Sequence, residues 1–208
     1  GDLLGFWTQG TWEGATNERV VAARSTDSGE TWDEPMEIDG PDERWLVATY
    51  ISPVVSDSGL IYCFYGKLRD PSLFEMWNAT ALTGRVSDDD GRSWSDPYTF
   101  EIPRTSRDSY DPKIPPRFII WQKPIPDSNG RWILSYSDTT DPSKHVRPGL
   151  KIDNRCHFIR FDNINDGPDL KDVKLTFLPE NREGVASPHK EEHRARNSWE
   201  ASLALLPD

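Results

Sequence analysis

The chain has 208 residues, of which 24 are lysine or arginine and 35 are aspartate or glutamate, so its formal net charge is −11. This length permits one domain or two small ones. The acidic charge argues against nucleic acid and anionic lipid as main partners, because both would repel the protein. No stretch approaches the ~18 consecutive apolar residues of a membrane span. The first residues do not resemble a signal peptide.

The composition favours an all-β fold. The chain contains nine tryptophans, 17 prolines and 14 glycines, a combination that is typical of many short strands separated by turns. Aromatic faces that stack on sugar rings, together with many carboxylates, also suit carbohydrate binding. Most single tryptophans are nevertheless expected to lie in the core.

Short segments that are rich in β-branched or aromatic residues and bounded by Gly, Pro, Asp or Ser are predicted strands. In chain order they are Asp2–Trp7, Val20–Ser25, Ile51–Val55, Leu60–Tyr65, Ala81–Ser87, Phe118–Gln122, Trp132–Ser137, His157–Phe161, Val173–Phe177 and Ala201–Leu205. Two long polar segments, 138–155 and 178–197, are predicted loops. The second is interpreted as a solvated excursion or a lid.

An internal repeat is the strongest feature of the sequence. Residues Ser25–Trp32 recur as Ser87–Trp94, 62 residues later (25 to 87), and both copies have the pattern S-x-D-x-G-x-[ST]-W. The Asp can accept hydrogen bonds from turn N–H groups, the Gly supplies a positive φ, and the Trp packs its ring on the next element. A structural role, rather than catalysis or metal binding, is predicted for Ser25, Asp27, Gly29, Trp32, Ser87, Asp89, Gly91 and Trp94.

This pattern resembles the Asp-box of the sialidase (neuraminidase) superfamily. In that family the box lies between the third and fourth strands of a propeller blade, at the periphery and away from the active site. The resemblance implies an all-β, six-bladed sialidase-like β-propeller, of which this chain covers about three blades. One propeller domain is expected over residues 1–208, divided into a partial blade 1–40, a blade 41–103, a blade 104–180 and the start of the next blade at 198–208.

A propeller of this kind needs roughly 350–400 residues to close. The remainder of the propeller, in the same or a second chain, is therefore an expected partner. The resemblance places the three substrate-binding arginines and the nucleophilic tyrosine of the family outside residues 1–208.

The resemblance also implies catalytic residues. Segment 197–208 resembles the family strand whose Glu assists the tyrosine nucleophile, so Glu200 is the first catalytic candidate. The family acid is an Asp in the loop that corresponds to residues 8–19, but this loop contains no Asp. Glu13 or Glu18 can substitute for it, because a Glu side chain reaches one carbon further.

Substrate-binding candidates come from two places. Trp12 lies beside Glu13, and Gln122 and Lys123 are expected to enter the innermost strand of a new blade, which lines the central pocket. Arg117 is a further cation close to that strand, although it lies in no family motif. The alternative for this region is a loop that only tethers two blades.

Neither a metal nor a cofactor is predicted. No His pair has metal-ligand spacing supported by Cys or Asp, and neither a phosphate-binding glycine loop nor a nucleophile elbow occurs. Cys63 and Cys156 are too few for a disulfide framework and form one bridge or none.

The leading functional hypothesis is an exo-acting glycoside hydrolase of sialidase-like type, which acts on an acidic or deoxy sugar at the end of a glycan or polysaccharide. The alternatives are a carbohydrate-binding propeller without catalysis and a polysaccharide lyase on the same fold, since fold does not fix function. Such a protein is expected to be secreted or periplasmic.

Overall fold

The computed structural model describes residues 1–68, 79–109, 111–138, 154–186 and 201–206. Within these ranges the chain forms β-strands and two short 3₁₀ helices, Ile164–Asp166 and Leu170–Asp172, so the all-β prediction is confirmed. The chain divides into two compact units, Gly1–Phe100 and Glu101–Asp208. Among the described residues, no helix is long and apolar enough to cross a membrane.

The first unit contains two antiparallel sheets. Its strands are β1 Leu3–Gln9, β2 Arg19–Ser25, β3 Met36–Asp39, β4 Val47–Val55, β5 Ile61–Leu68, β6 Ala81–Ser87 and β7 Tyr98–Phe100. The first sheet has the order β1-β2-β3 and the second has the order β4-β5-β6-β7, so each strand pairs with its neighbour in sequence. These hairpins follow from the short turns that separate the apolar segments.

The core of the first unit lies between these two sheets. Alternation along β2 directs Val20 and Ala22 toward Ala48, Cys63 and Tyr65 of the second sheet, and all five are almost fully buried. Four partly buried side chains complete this core, namely Leu4, Phe6, Ile51 and Trp94. This packing holds β1 next to β4, and the cavity described below lies beside these two strands.

The connections leave from two opposite ends of the sheets. The β1–β2 connection, residues 10–18, lies at the end where Gln9 pairs with Arg19. The two repeated turns lie at the other end, where Leu3 pairs with Ser25 and Ile61 pairs with Ser87. The turns of the repeat are therefore remote from the β1–β2 connection.

The second unit contains one antiparallel sheet. Its strands are β8 Phe118–Ile120, β9 Ile125–Pro126, β10 Trp132–Asp138, β11 Cys156–Phe161 and β12 Leu175–Leu178. The order is β12-β11-β10-β8, and β9 pairs with the beginning of β10. The fully buried large side chains of this sheet are Phe118, Ile119, Ile120, Leu134, Ile159 and Phe161.

One predicted strand is wrong. Residues 201–206, which include the predicted strand Ala201–Leu205, form no strand. A strand requires a ladder of backbone partners, whereas the hydrogen bond seen here is from the Ser135 hydroxyl to the Ala201 carbonyl, at 2.6 Å.

Other differences concern the shortest strands and the boundaries. The strands β3, β7 and β9 are missing from the predicted set because segments of two to four residues are too short to show alternation. The predicted strand Val173–Phe177 begins later, at Leu175, because a 3₁₀ helix ends at Asp172. Most of the two predicted polar loops, residues 139–153 and 187–197, lies outside the described residues.

Both copies of the repeat form the predicted hydrogen-bonded turn. In the first copy, the Asp27 carboxylate accepts from the backbone N–H of Thr31 at 2.9 Å, from the Thr31 hydroxyl at 2.5 Å and from the Ser25 hydroxyl at 2.8 Å. In the second copy, Asp89 accepts the equivalent bonds from Ser93 and Ser87. The glycines Gly29 and Gly91 have φ of 96° and 80°, as the turn requires.

The tryptophans of the repeat differ in their environments. The ring of Trp94 meets Phe6 edge to face, with centroids 6.0 Å apart, and so links the two sheets of the first unit. The ring of Trp32 lies over Gly5, where an added Cβ would approach it to 3.0 Å, and Trp32 is half exposed. Only the second copy therefore contributes its ring to the core between the sheets.

Acid should weaken these turns. Hydrogen bonds from the hydroxyl and backbone of Thr31, and from Ser25, lower the pKa of Asp27 to about 2, and those from Ser93 and Ser87 likewise lower the pKa of Asp89. In the unfolded chain an Asp has a pKa of about 3.9, so the turns contribute stability above about pH 4 that is lost as the pH falls through the folded pKa values. We expect the double variant Asp27→Asn/Asp89→Asn to lose less stability than the wild type between about pH 5 and pH 2 in urea unfolding.

The matched control is Asp33→Asn, because the exposed Asp33 follows Trp32 directly but its carboxylate accepts none of these turn bonds. This variant should keep the acid dependence of the wild type. An equally steep acid dependence in the double variant would contradict the prediction.

Both cysteines are free thiols, so Cys63 and Cys156 form no disulfide bridge in this structure. Both thiols are buried, and burial raises the pKa of each. A buried thiol with a raised pKa is a poor nucleophile. The cysteines therefore act as small core residues.

Candidate active site

A cavity of about 400 Å³ opens beside β1, the β1–β2 connection and β4. It is lined by Thr8, Gly10, Trp12, Glu13, Glu18, Thr49 and Tyr50. The structure thus brings together three residues that the sequence analysis selected, namely Trp12, Glu13 and Glu18. It adds Tyr50, which the sequence analysis missed.

The β1–β2 connection folds back on itself and fixes Glu18. The Asn17 side-chain oxygen accepts from the backbone N–H and the hydroxyl of Thr11, at 3.2 and 2.9 Å. The Gly14 N–H donates to Glu18 Oε1 at 2.5 Å. Gly14 has a φ of 83°, a conformation that favours glycine. The carboxylate of Glu18 is therefore held by the backbone of its own loop.

The two glutamates of the cavity differ in exposure. Glu18 is only 6% exposed, whereas Glu13 is exposed and Trp12 is 67% exposed. A fixed, buried carboxylate beside an accessible one, with an accessible aromatic face nearby, is the equipment that glycosidases use. The cavity therefore combines an exposed aromatic face with one buried and one exposed carboxylate.

Tyr50 lies in an irregular part of β4. The pairing of β4 with β5 shifts register between Thr49 and Ser52, and Tyr50 has a φ of 58°. Burial raises the pKa of Tyr50, and the negative charges of Glu18 and Glu13 raise it further. The phenol is therefore neutral at physiological pH and offers an O–H donor. No sequence signal marks this residue, because it stands in an otherwise ordinary β-forming segment.

A buried ionic network lies at the same end of the second sheet. Lys67, which is 1% exposed, donates to Asp39 Oδ1 at 2.9 Å, to the Gly40 carbonyl at 3.3 Å and to Asp42 Oδ2 at 3.2 Å. The Tyr65 hydroxyl donates to the other oxygen of Asp39 at 2.5 Å. All three ammonium protons of Lys67 can be satisfied in this way. The network ties the β3–β4 connection to β5.

The other substrate-binding candidates belong to the second unit. Arg117 directly precedes β8 and is buried, with 9% exposure. The prediction that Gln122 and Lys123 enter an innermost strand is wrong, because β8 ends at Ile120 and both residues are exposed in the break before β9. The sequence did not reveal this break, since the run from Phe118 is continuously apolar or aromatic up to Trp121.

The second unit contains a buried charged cluster that the sequence analysis did not identify. Arg107 Nε donates to Asp138 Oδ2 at 2.8 Å, and His157 Nε2 lies 3.3 Å from the same oxygen. The His157 ring stacks on Tyr136 with centroids 5.1 Å apart. Burial opposes ionisation of Asp138, but the hydrogen bond from His157 and the charge of Arg107 outweigh it and lower the pKa of Asp138. The cluster fixes the ends of β10 and β11.

Two further questions about the site concern Glu200 and metal binding. Glu200 lies outside the described residues. Within the described ranges, no group of three or more His, Cys, Asp or Glu side chains could hold a metal ion.

Comparisons with known proteins agree with this fold. The model of the BNR repeat-like domain family matches residues 1–186. No curated protein matches the chain.

Solved structures with a similar fold include the Hadza microbial sialidase Hz136, with a TM-score of 0.55 and 16% identity over 78% of this chain and 33% of the sialidase. They also include a protein of unknown function from Dyadobacter fermentans DSM 18053, with a TM-score of 0.56 and 17% identity over 85% of this chain and 50% of that protein. A polysaccharide lyase described as PL25 ulvan lyase aligns with a TM-score of 0.45 and 15% identity, over 79% of this chain and 36% of the lyase.

This chain thus spans one third to one half of these proteins. At such identities the likeness concerns the fold alone. The predicted resemblance to the sialidase superfamily is confirmed by the family match and by the sialidase structure.

Proposed function

This chain belongs to the BNR repeat-like domain family, and on that basis we propose that it is part of an exo-acting glycoside hydrolase of sialidase-like type. Its substrates are terminal sugars of glycans or polysaccharides. The observation that carries the proposal is the cavity in which Trp12, Glu13 and Glu18 meet. The fold that this chain shares with a sialidase supports it.

The architecture proposed for the whole protein is a six-bladed β-propeller. In this proposal the sheet β4-β5-β6-β7 is a complete four-stranded blade, and the sheet β1-β2-β3 is a blade that lacks one strand beside β1. A strand from the remainder of the propeller would pair with this edge, because an unpaired edge exposes backbone donors and acceptors. A secreted or periplasmic location fits an enzyme that acts on external polysaccharides.

The proposed chemistry divides the work between the carboxylates. Glu13, which is exposed at the cavity, protonates the glycosidic oxygen as general acid. Glu18 stays as a fixed carboxylate that stabilises the positive charge of the oxocarbenium-like transition state. Glu200 is proposed to be the base or nucleophile assistant, as its sequence resemblance implies. Trp12 offers its exposed face to the sugar ring.

The proposal is tested first at Glu200. We expect Glu200→Gln to reduce turnover of chromogenic glycosides by about 10²–10⁴-fold, because removal of a general base or assisting carboxylate has that effect. Binding of the same glycosides, measured by calorimetry, should be retained. Turnover equal to that of the wild type would remove Glu200 from the mechanism.

The same assays separate the alternatives. A wild-type protein that binds glycans but hydrolyses none would be a carbohydrate-binding propeller. Release of products with the ultraviolet absorbance of an unsaturated uronate would identify a lyase. The control is Glu30→Gln, since the exposed Glu30 lies within the first repeated turn, at the end of the sheet opposite to the β1–β2 connection, and should leave turnover unchanged.

A further inference from the structure

The backbone of Tyr50 adopts a conformation that is unusual for its residue type. Its φ of 58° lies in the left-handed region, which aromatic residues rarely occupy. Such conformations persist only where surrounding contacts hold them, and they cluster at binding and active sites. Tyr50 also lines the cavity that contains Glu13 and Glu18. The unusual backbone and the cavity therefore coincide.

The contacts that hold Tyr50 come from the first sheet. The Tyr50 N–H donates to the hydroxyl of Thr8 at 3.0 Å. Two residues earlier, the Ala48 N–H donates to the Glu18 carbonyl at 3.0 Å. Both acceptors belong to the segment that lines the cavity. Because β4 loses its regular register between Thr49 and Ser52, Tyr50 does not have to follow the ladder with β5.

The surroundings of Tyr50 favour one chemical role for its side chain. In the proposed chemistry Glu18 stays ionised, and an ionised carboxylate accepts hydrogen bonds but cannot donate them. A sugar hydroxyl both donates and accepts, so it can donate to a carboxylate and accept from a neutral phenol at once. A phenol keeps its proton at neutral pH, and burial, followed by the negative charge of Glu18, raises the pKa of Tyr50 further. The cavity thus combines the phenolic O–H of Tyr50 with the Glu18 carboxylate as an acceptor.

We propose that Tyr50 contacts the substrate and donates a hydrogen bond from its phenol to a sugar oxygen in the Glu13–Glu18 cavity, and that Thr8 is its positioning residue. This inference rests on the proposed carbohydrate function. The bond exists in the ground state and persists in the transition state, so it contributes to binding rather than to the rate of the chemical step. The unusual φ of Tyr50 is the means by which β4 presents this side chain to the sugar.

The test uses Tyr50→Phe, which removes the phenolic oxygen and keeps the ring. The probes are 4-nitrophenyl glycosides of neutral sugars and the 4-methylumbelliferyl glycoside of N-acetylneuraminic acid. We expect KM to rise about 3- to 10-fold, which corresponds to the binding free energy of one neutral hydrogen bond. We expect kcat to stay within about twofold of the wild type, because the loss of a bond that is equally strong in the ground state and in the transition state changes KM and leaves kcat unchanged. If the protein binds these probes without turnover, the same rise is expected in Kd.

Thr8 is tested by a pair of variants. Thr8→Val removes the acceptor of the Tyr50 N–H and should raise KM to a similar extent, whereas Thr8→Ser keeps the hydroxyl and should restore the wild-type KM. The matched control is Tyr98→Phe, because Tyr98 is an exposed residue of β7. A purely structural role of Thr8 would change the melting temperature without this selective change in KM.

The outcomes distinguish this inference from the proposed function. A wild-type KM or Kd in Tyr50→Phe, in a protein that acts on or binds a probe, overturns the inference alone. A decrease in kcat with an unchanged KM also overturns it. A wild-type protein that neither binds nor hydrolyses any probe overturns the proposed function and the inference together.

Discussion

Replacement of Glu18 by glutamine is expected to lower kcat/KM by about 10²–10⁴-fold, the largest effect on activity that we predict for a described residue. The glutamine side-chain oxygen can still accept the Gly14 N–H, which donates to Glu18 Oε1 at 2.5 Å in the native loop. The loop should therefore keep its conformation, and the loss would be that of the negative charge. Steady-state kinetics with the glycosides that the wild type hydrolyses would measure it.

The control for Glu18→Gln must separate charge from folding. Glu18→Asp keeps the charge but shortens the side chain, so it should lose both the Gly14 contact and part of its stability. Glu18→Gln should instead melt within about 2 °C of the wild type, because the variant keeps the hydrogen bond from the Gly14 N–H and its free energy of unfolding therefore changes little. Full activity in Glu18→Gln would exclude a catalytic carboxylate at this position.

The largest effect on stability is expected for Lys67→Met. Lys67 and Asp39 are 1% and 7% exposed, and the ammonium lies 2.9 Å from the carboxylate. Removal of Lys67 breaks a buried ion pair and leaves Asp39 with the Tyr65 hydroxyl, the Gly40 N–H and the more distant Arg85, 3.9 Å away. The loss of one partner of a buried pair costs about 3–5 kcal/mol. For a chain of this size that corresponds to a melting temperature lower by roughly 6–20 °C. Thermal unfolding followed by circular dichroism would measure this difference.

An exposed ion pair provides the matched control. Lys171 lies 3.7 Å from Asp169, and both side chains are mostly exposed. Because water screens such a pair, Lys171→Met should cost no more than about 1 kcal/mol. The double variant Asp39→Asn/Lys67→Met should recover part of the loss, since it removes both buried charges. A Lys67→Met protein as stable as the Lys171→Met protein would show that the buried pair contributes little.

The buried network also matters for the cavity. Asp39 ends β3, and the connection that it anchors leads directly into β4, which carries Thr49 and Tyr50. A loosened connection would let the start of β4 shift against β1. We therefore interpret the Lys67–Asp39 pair as a support for the site and not as part of its chemistry, because its donors and acceptors are satisfied inside the protein.

Parts of the site could be predicted from the sequence because they lie within one short loop. Trp12, Glu13 and Glu18 stand between two adjacent strands, and any hairpin from β1 to β2 places them at the same end of the sheet. Tyr50 could not be found in this way. Its role depends on a hydrogen bond to Thr8, 42 residues away, and on a local shift of register in β4.

In the second unit, too, local positions could be predicted from the sequence, whereas contacts between distant residues could not. His157 was expected at the start of a strand, and it is the second residue of β11. Its contact with Asp138 depends on the antiparallel pairing of β10 and β11 across residues that the sequence marks only as a polar loop. The position of Arg107 beside the same carboxylate depends on a segment that precedes β8 and carries no periodic pattern.

By itself, the sequence determined the two repeated turns and the all-β class. Each turn closes through hydrogen bonds among residues no more than four positions apart, so eight residues contain nearly all the information needed. Tertiary structure alone decided which side chains face one another across the sheets. Strand pairing and packing join residues 28 to 42 positions apart, as in Lys67 with Asp39 and Tyr50 with Thr8, and no local pattern encodes such contacts.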